Sequence, residues 1–139
     1  MSKNAAEVLN PGPGTPLGVV NEIINACSDA KGKDILVLDV RKVSDMAQYF
    51  VLVSGRSDRQ VQGIANKALE ALAQHGYHPD SIEGLEEGHW VLCDLGDVVL
   101  HVFYEATRQH YDLEGLWFRA GRLQIETQKS GSAIEFKAA

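Results

Sequence analysis

Several features that would mark a specialised class are scarce or missing. No apolar run approaches the roughly 20 residues needed to span a bilayer; runs such as Ile35-Leu36-Val37-Leu38 have the length of a strand. The opening residues, MSKNAAEVLNPGPGTP, hold no hydrophobic signal core, which argues against secretion and for a cytoplasmic protein. Only two cysteines occur, Cys27 and Cys93, each inside an apolar pattern and far apart in sequence. That excludes a disulfide scaffold and points to buried thiols in a reducing compartment. Basic residues are few, 13 against 19 acidic ones, for a formal charge of −6. A nucleic-acid backbone is gripped by Lys and Arg that neutralise phosphates, so a nucleic-acid-binding role is disfavoured and a basic protein partner suits the chain better. Repeats, heptads and long blocks of like charge are also missing.

What is present fits one domain with a moderate core: 139 residues, 45% of them apolar. Residues 1–15, rich in Pro, Gly and Asn, read as a flexible leader. Thr15 then caps a helix with Pro16 at its first position, and Leu17, Val20, Ile24 and Cys27 line one face until Gly32. Strands are predicted at Ile35 to Leu38 and Tyr49 to Val53, with one helical turn at Ser44-Asp45-Met46 between them. Ser57 and Gln60 form a capping box for a second helix, whose stripe is Val61, Ile64, Ala65, Ala68, Leu69 and Leu72. A short strand over Tyr77 to Ile82 precedes a β-hairpin made by Trp90 to Cys93 and Val98 to Phe103. A helical turn at Ala106 to His110 and the run YDLEGLW close the domain at residue 117. Residues 118–139 alternate weakly at Leu123/Ile125 and Ile134/Phe136; a flexible tail is the favoured reading and an added hairpin the other. The order α-β-β-α-β-β-β-α implies a mixed α+β fold, a mixed sheet with helices mainly on one face and a C-terminal β-hairpin.

The hairpin is the densest part of the sequence, and its register sets which side chains share a face. If Leu95-Gly96 is a two-residue loop, Trp90 pairs with His101, Leu92 with Val99 and Asp94 with Asp97. His89, Val91, Cys93, Val98, Leu100 and Val102 then make the core face. The opposite face carries an aromatic anchor, aliphatic neighbours and bordering carboxylates, a composition suited to protein binding. If Gly96 instead forms a bulge after a three-residue loop, Trp90 and Leu92 enter the core. Patterning leaves the two registers open.

Other chemistry is weakly supported. Gly55-Arg56-Ser57 before a helix offers free N–H groups to an anion, but no Walker or dinucleotide spacing accompanies it, and Asp58 would repel a phosphate. Asp94 and Asp97, with Asp112 or Glu114, are divalent-metal candidates but are equally ordinary turn formers. His89, Cys93 and His101 resemble a zinc trio under the second register, without an evident fourth ligand. Neither a GxSxG elbow nor an acid–base pair is recognisable. The residues thus predict no cofactor, no metal and no catalysis.

The runs DILVLDVRKVSDMAQYFVLVSGRSDRQVQGIA, EGLEEGHWVLCDLGDVVLHVF and YDLEGLW, collinear over about residues 17 to 117, closely resemble the ribosomal silencing factor (Iojap-related) family. The resemblance implies a nucleotidyltransferase-like fold without a transferase role. It also implies a translation repressor that binds the large ribosomal subunit through its protein fourteen and blocks joining of the small subunit. Trp90 corresponds to a partner-contact position, which favours the register that exposes it. Asp94, Gly96, Asp97 and His101 fall in the matching DLGDVVxH run, and Tyr111, Asp112 and Leu113 in the matching YDLE run. With Leu92 and Val99 on the same face, these are the candidate partner-binding residues. Two alternatives accompany this reading. One is a nucleotidyltransferase-like enzyme or nucleotide-binding module, against which the lone Asp80 in Tyr77 to Ile82 argues because it makes no metal-holding pair. The other is a self-associating domain, a homodimer through the same face.

Overall fold

The computed structural model describes residues 8–9, 14–111, 121–127 and 134–138, with side-chain environments for residues 14–109. The rest of the expected leader, and the YDLEGLW run after Tyr111, lie outside the described residues. The elements are β1 (Val8–Leu9), α1 (Pro16–Asp29), β2 (Lys33–Asp39), β3 (Tyr49–Gly55), α2 (Asp58–Gln74), β4 (Ser81–Glu83), β5 (Trp90–Asp94), β6 (Val98–Tyr104), α3 (Glu105–Tyr111), β7 (Gly121–Thr127) and β8 (Ile134–Ala138).

Local chemistry sets both long helices. Thr15 Oγ1 accepts from Gly18 N at 3.0 Å, and Pro16 occupies a position where a missing N–H does no harm. At α2, Ser57 Oγ accepts from Gln60 N at 3.1 Å, while Gln60 Oε1 accepts from Arg56 N at 2.6 Å. The reciprocal arm of the capping box therefore reaches one residue upstream of the cap. It also occupies the Arg56 amide, which an anion at Gly55-Arg56-Ser57 would use. The predicted stripe faces inward: Val61, Ile64, Ala65, Ala68 and Leu72 are buried and Leu69 is half-buried.

The strands form one mixed sheet in the order β1-β8-β7-β2-β3-β6-β5-β4. Residues 33–104 contribute the five strands β2-β3-β6-β5-β4, in which β3 and β6 run parallel and the other neighbours antiparallel. In the segment expected as a tail, β7 pairs with both β8 and β2. Two local expectations are corrected. The turn between β2 and β3 is not at Ser44 to Met46: it lies upstream, where Val43 N and Ser44 N both donate to Val40 O. The strand expected from Tyr77 shrinks to Ser81–Glu83, because Pro79 has no N–H for a ladder.

Side chains alternate between two unequal layers. Val37, Val51, Val53, Val91, Cys93, Leu100 and Val102 face α1 and α2 and form the main core. On the opposite face Leu38, Leu52 and Phe103 are buried with Val40 and Ala47 from the β2–β3 connection. Leu36, Phe50, Trp90 and Val99 ring this smaller cluster and are half-buried. The helix α3 reaches the second face through Arg108, whose Nη1 donates to Ser54 Oγ at 2.8 Å and to the Asp34 carbonyl at 2.7 Å.

Candidate functional site

The hairpin adopts neither of the expected registers. Trp90 pairs with Phe103, Leu92 with His101 and Asp94 with Val99. Leu95 N donates to Val98 O at 2.9 Å, so the two-residue loop is Gly96-Asp97, one position later than Leu95-Gly96. The reason is glycine: a tight hairpin turn with positive φ at its first central residue wants Gly there, and Gly96 has φ +87°. Asp94 Oδ1 fixes the turn by accepting from Gly96 N at 2.9 Å. Moving the loop by one shifts the pairing by two, and an even shift keeps every side chain on its face. The facial division of the two-residue-loop register is therefore retained, with Trp90 away from α1 and α2, although His89, expected in the core, is exposed.

On that face the candidate residues differ in exposure. Trp90, Leu92, Asp94, Gly96 and Val99 are half-buried and Asp97 is exposed. The Asp97 carbonyl accepts from Gln48 N at 2.7 Å and Tyr49 N at 3.1 Å, tying the turn to the β2–β3 connection. His101 departs from the expected surface role, since it is 5% exposed and lies beneath the face. Its Nδ1 accepts the indole N–H of Trp90 at 3.1 Å. Phe50 meets the imidazole edge-on, with ring centres 5.0 Å apart, and Phe103 stacks on it at 5.9 Å. Trp90 in turn packs on Phe103 with ring centres 5.0 Å apart. Burial in this aromatic nest disfavours the charged ring and pushes the His101 pKa down to about 4. Of the YDLE candidates, Tyr111 ends α3, while its side chain and the whole of Asp112 and Leu113 lie outside the described residues.

The competing chemistries are not assembled around this face. Cys93 points into the helix-side core and His101 to the opposite side, so one zinc ion cannot take both. Among the described residues, no three His, Cys, Asp or Glu side chains stand where they could hold one metal ion. Burial raises both thiols, Cys27 to about 12 and Cys93 to about 11, so neither is a nucleophile at neutral pH. A groove of about 390 Å³ lies on the helix layer between α1 and α2, where His75 Nε2 meets Glu22 Oε2 at 3.0 Å. It shares no lining residue with the Trp90 face.

Among the described residues, two large apolar side chains are exposed, Ile82 and, much more fully, Met46. Met46 is 90% exposed, next to Ala47, which is buried in the cluster beneath the Trp90 face. Methionine carries no local signal for exposure; only the loop's attachment to Asp97 shows where it stands.

Comparison with known proteins adds a second line of evidence. A family model described as ribosomal silencing factor during starvation matches residues 14–138, well past Trp117, the last residue of the motifs that carry the resemblance. The ribosomal silencing factor RsfS of Bacillus subtilis is 46% identical over 92 residues, covering 66% of this chain and 78% of that protein. A crystal structure of a Chromobacterium violaceum protein superposes with a TM-score of 0.71 at 39% identity, over 84% of this chain and 93% of that one. A mouse protein named mitochondrial assembly of ribosomal large subunit protein 1 is 28% identical over 115 residues, 78% of this chain and 50% of its own length.

Proposed function

Because the chain belongs to the family of ribosomal silencing factors, we propose that it represses translation by docking on protein fourteen of the large ribosomal subunit and sterically excluding the small subunit. The observation that carries this reading is Trp90: a half-buried tryptophan on the sheet face opposite α1 and α2. Tryptophan is among the side chains that most often carry the binding energy of a protein interface. Leu92 and Val99 extend the apolar contact and Asp94, Gly96 and Asp97 border it; Tyr111, Asp112 and Leu113 join the proposal through the family resemblance alone. The formal charge of −6 suits a basic partner. The name of the mouse relative ties that protein to the large subunit, in keeping with the same target here.

Repression of this kind is steric and needs no catalysis or cofactor. The mixed sheet with α1 and α2 on one face is compatible with a nucleotidyltransferase-like architecture, but a fold shared with enzymes is not an activity. No helix of the described residues is long and apolar enough to cross a membrane, and we assign the protein to the cytoplasm with its ribosomal target. The test is Trp90→Ala, assayed for association with purified large subunits and for inhibition of subunit joining. Truncating such an anchor commonly costs ~2 kcal/mol, or about thirtyfold in affinity. Wild-type inhibition by a folded Trp90→Ala protein would sink the proposal. A homodimer through this face would compete with the ribosome, so sedimentation across a concentration range accompanies the assay.

A further inference from the structure

The one buried side-chain polar atom without a hydrogen-bond partner among the described residues is His101 Nε2. Its position follows from the other ring nitrogen. Nδ1 accepts the Trp90 indole N–H, so a neutral His101 carries its own proton on Nε2, where nothing receives it. An unmet buried donor is a liability in a core, and phenylalanine would fill the same aromatic nest without one. The unmet donor offsets what the Nδ1 bond contributes, so stability alone does not explain a histidine between Phe50 and Phe103.

Docking does. A partner that covers Trp90 removes water from the indole, and an indole N–H stripped of water must find another acceptor. His101 Nδ1 supplies that acceptor from below before any partner arrives. The same bond, with Phe103 packed 5.0 Å away, fixes the plane of the indole, so less side-chain freedom is lost on binding. We propose that His101 is a positioning residue for the docking anchor: it touches no partner, but satisfies and orients Trp90 so that the exposed part of the ring is apolar. This inference rests on the reading of Trp90 as the anchor.

Two substitutions separate this role from a structural one. His101→Phe keeps the aromatic packing and removes both the acceptor and the unmet donor. It is expected to melt at or above the wild-type temperature, yet to bind purified large subunits about fivefold more weakly, the worth of one hydrogen bond. His101→Asn keeps an acceptor near the Nδ1 position but leaves a cavity. It is expected to be less stable than His101→Phe and to bind more tightly, so affinity and stability move in opposite directions. A nitrogen-15 NMR spectrum reads the bond directly. The Trp90 indole peak, identified by its loss in Trp90→Phe, should exchange with water faster in His101→Phe than in wild type. Wild-type affinity for His101→Phe would overturn the inference, as would His101→Asn binding no better than His101→Phe at a temperature where both are folded. If Trp90→Ala itself binds normally, the anchor reading has failed; if Trp90→Ala fails to bind while His101→Phe binds normally, only the positioning role has.

Discussion

Trp90 and Phe103 stand directly opposite each other across the β5–β6 pair, yet Phe103 is fully buried and Trp90 is half-buried. The Val40 to Ala47 connection packs with Phe103, Leu38 and Leu52, while Trp90 lies at the rim of that cluster. The two rings should thus separate stability from binding. Phe103→Ala is expected to cost about 3–5 kcal/mol of folding free energy, the range for emptying a buried aromatic site. Trp90→Ala should cost clearly less and act mainly on association. Urea denaturation of both variants decides it; equal destabilisation would make Trp90 a core residue and leave the face without its anchor.

Burial of His101 makes a pH prediction whose sign is fixed. The folded-state pKa is about 4, against 6.5 for an ordinary histidine. Above pH ~6.5 the ring is neutral in both folded and unfolded chains, and it contributes no slope. As the pH falls toward 4, the unfolded chain takes up a proton that the folded chain refuses, so stability declines; below about 4 the loss levels off. The full effect is on the order of 3 kcal/mol. His101→Phe lacks the titrating group, so its stability advantage over wild type should grow between pH 7 and 4.5. Denaturation curves at three pH values across that window test this, and a constant gap would contradict it.

Two glycines give opposite expectations. Gly84 has φ +79°, and a Cβ there would run into the carbonyl oxygen of Trp90. Gly84→Ala therefore strains its own backbone and displaces the strand start that carries Trp90, and should destabilise by roughly 2 kcal/mol or more. Gly63 lies within α2 with open space around it. Gly63→Ala should stabilise by about 0.5–1 kcal/mol, the helix-interior difference between these residues. Thermal melts of the pair suffice. A neutral Gly84→Ala would show that the close approach to Trp90 relaxes at no cost.

The helices were legible in the sequence because their signals are local: Thr15 with Pro16, Ser57 with Gln60, and apolar stripes at helical spacing. The strands β2, β3, β5 and β6 were legible as short apolar runs. Sheet order was not, since the parallel pairing of Tyr49–Gly55 with Val98–Tyr104 joins residues nearly fifty positions apart. The hairpin register was misplaced because Gly96 can serve either turn position by sequence alone; only the even shift preserved the division of faces. The burial of His101 was invisible because it depends on Phe50, which reaches it across the β3–β6 pairing.

Exposure alone would make Met46 one stray apolar side chain, which is ordinary on a protein surface. Its attachment places it beside the proposed docking face. Met46 N donates to Ser44 Oγ at 3.1 Å, Ala47 is buried beneath the Trp90 face, and Gln48 N and Tyr49 N both bond the Asp97 carbonyl. The loop is held at both ends and shares an end of the sheet with the hairpin turn; Val40 and Val43 turn inward while Met46 stays 90% exposed. A pliable thioether there suits an irregular protein surface. Met46→Ser is expected to leave the melting temperature unchanged, because almost nothing in the free protein touches the side chain. Association with large subunits should weaken by about threefold to tenfold, as for a contact at the edge of an anchor. Combined with Trp90→Ala it should add little further loss, since a face that has lost its anchor gains nothing from the rim. If Met46→Ser binds as wild type, the docking surface ends at the hairpin.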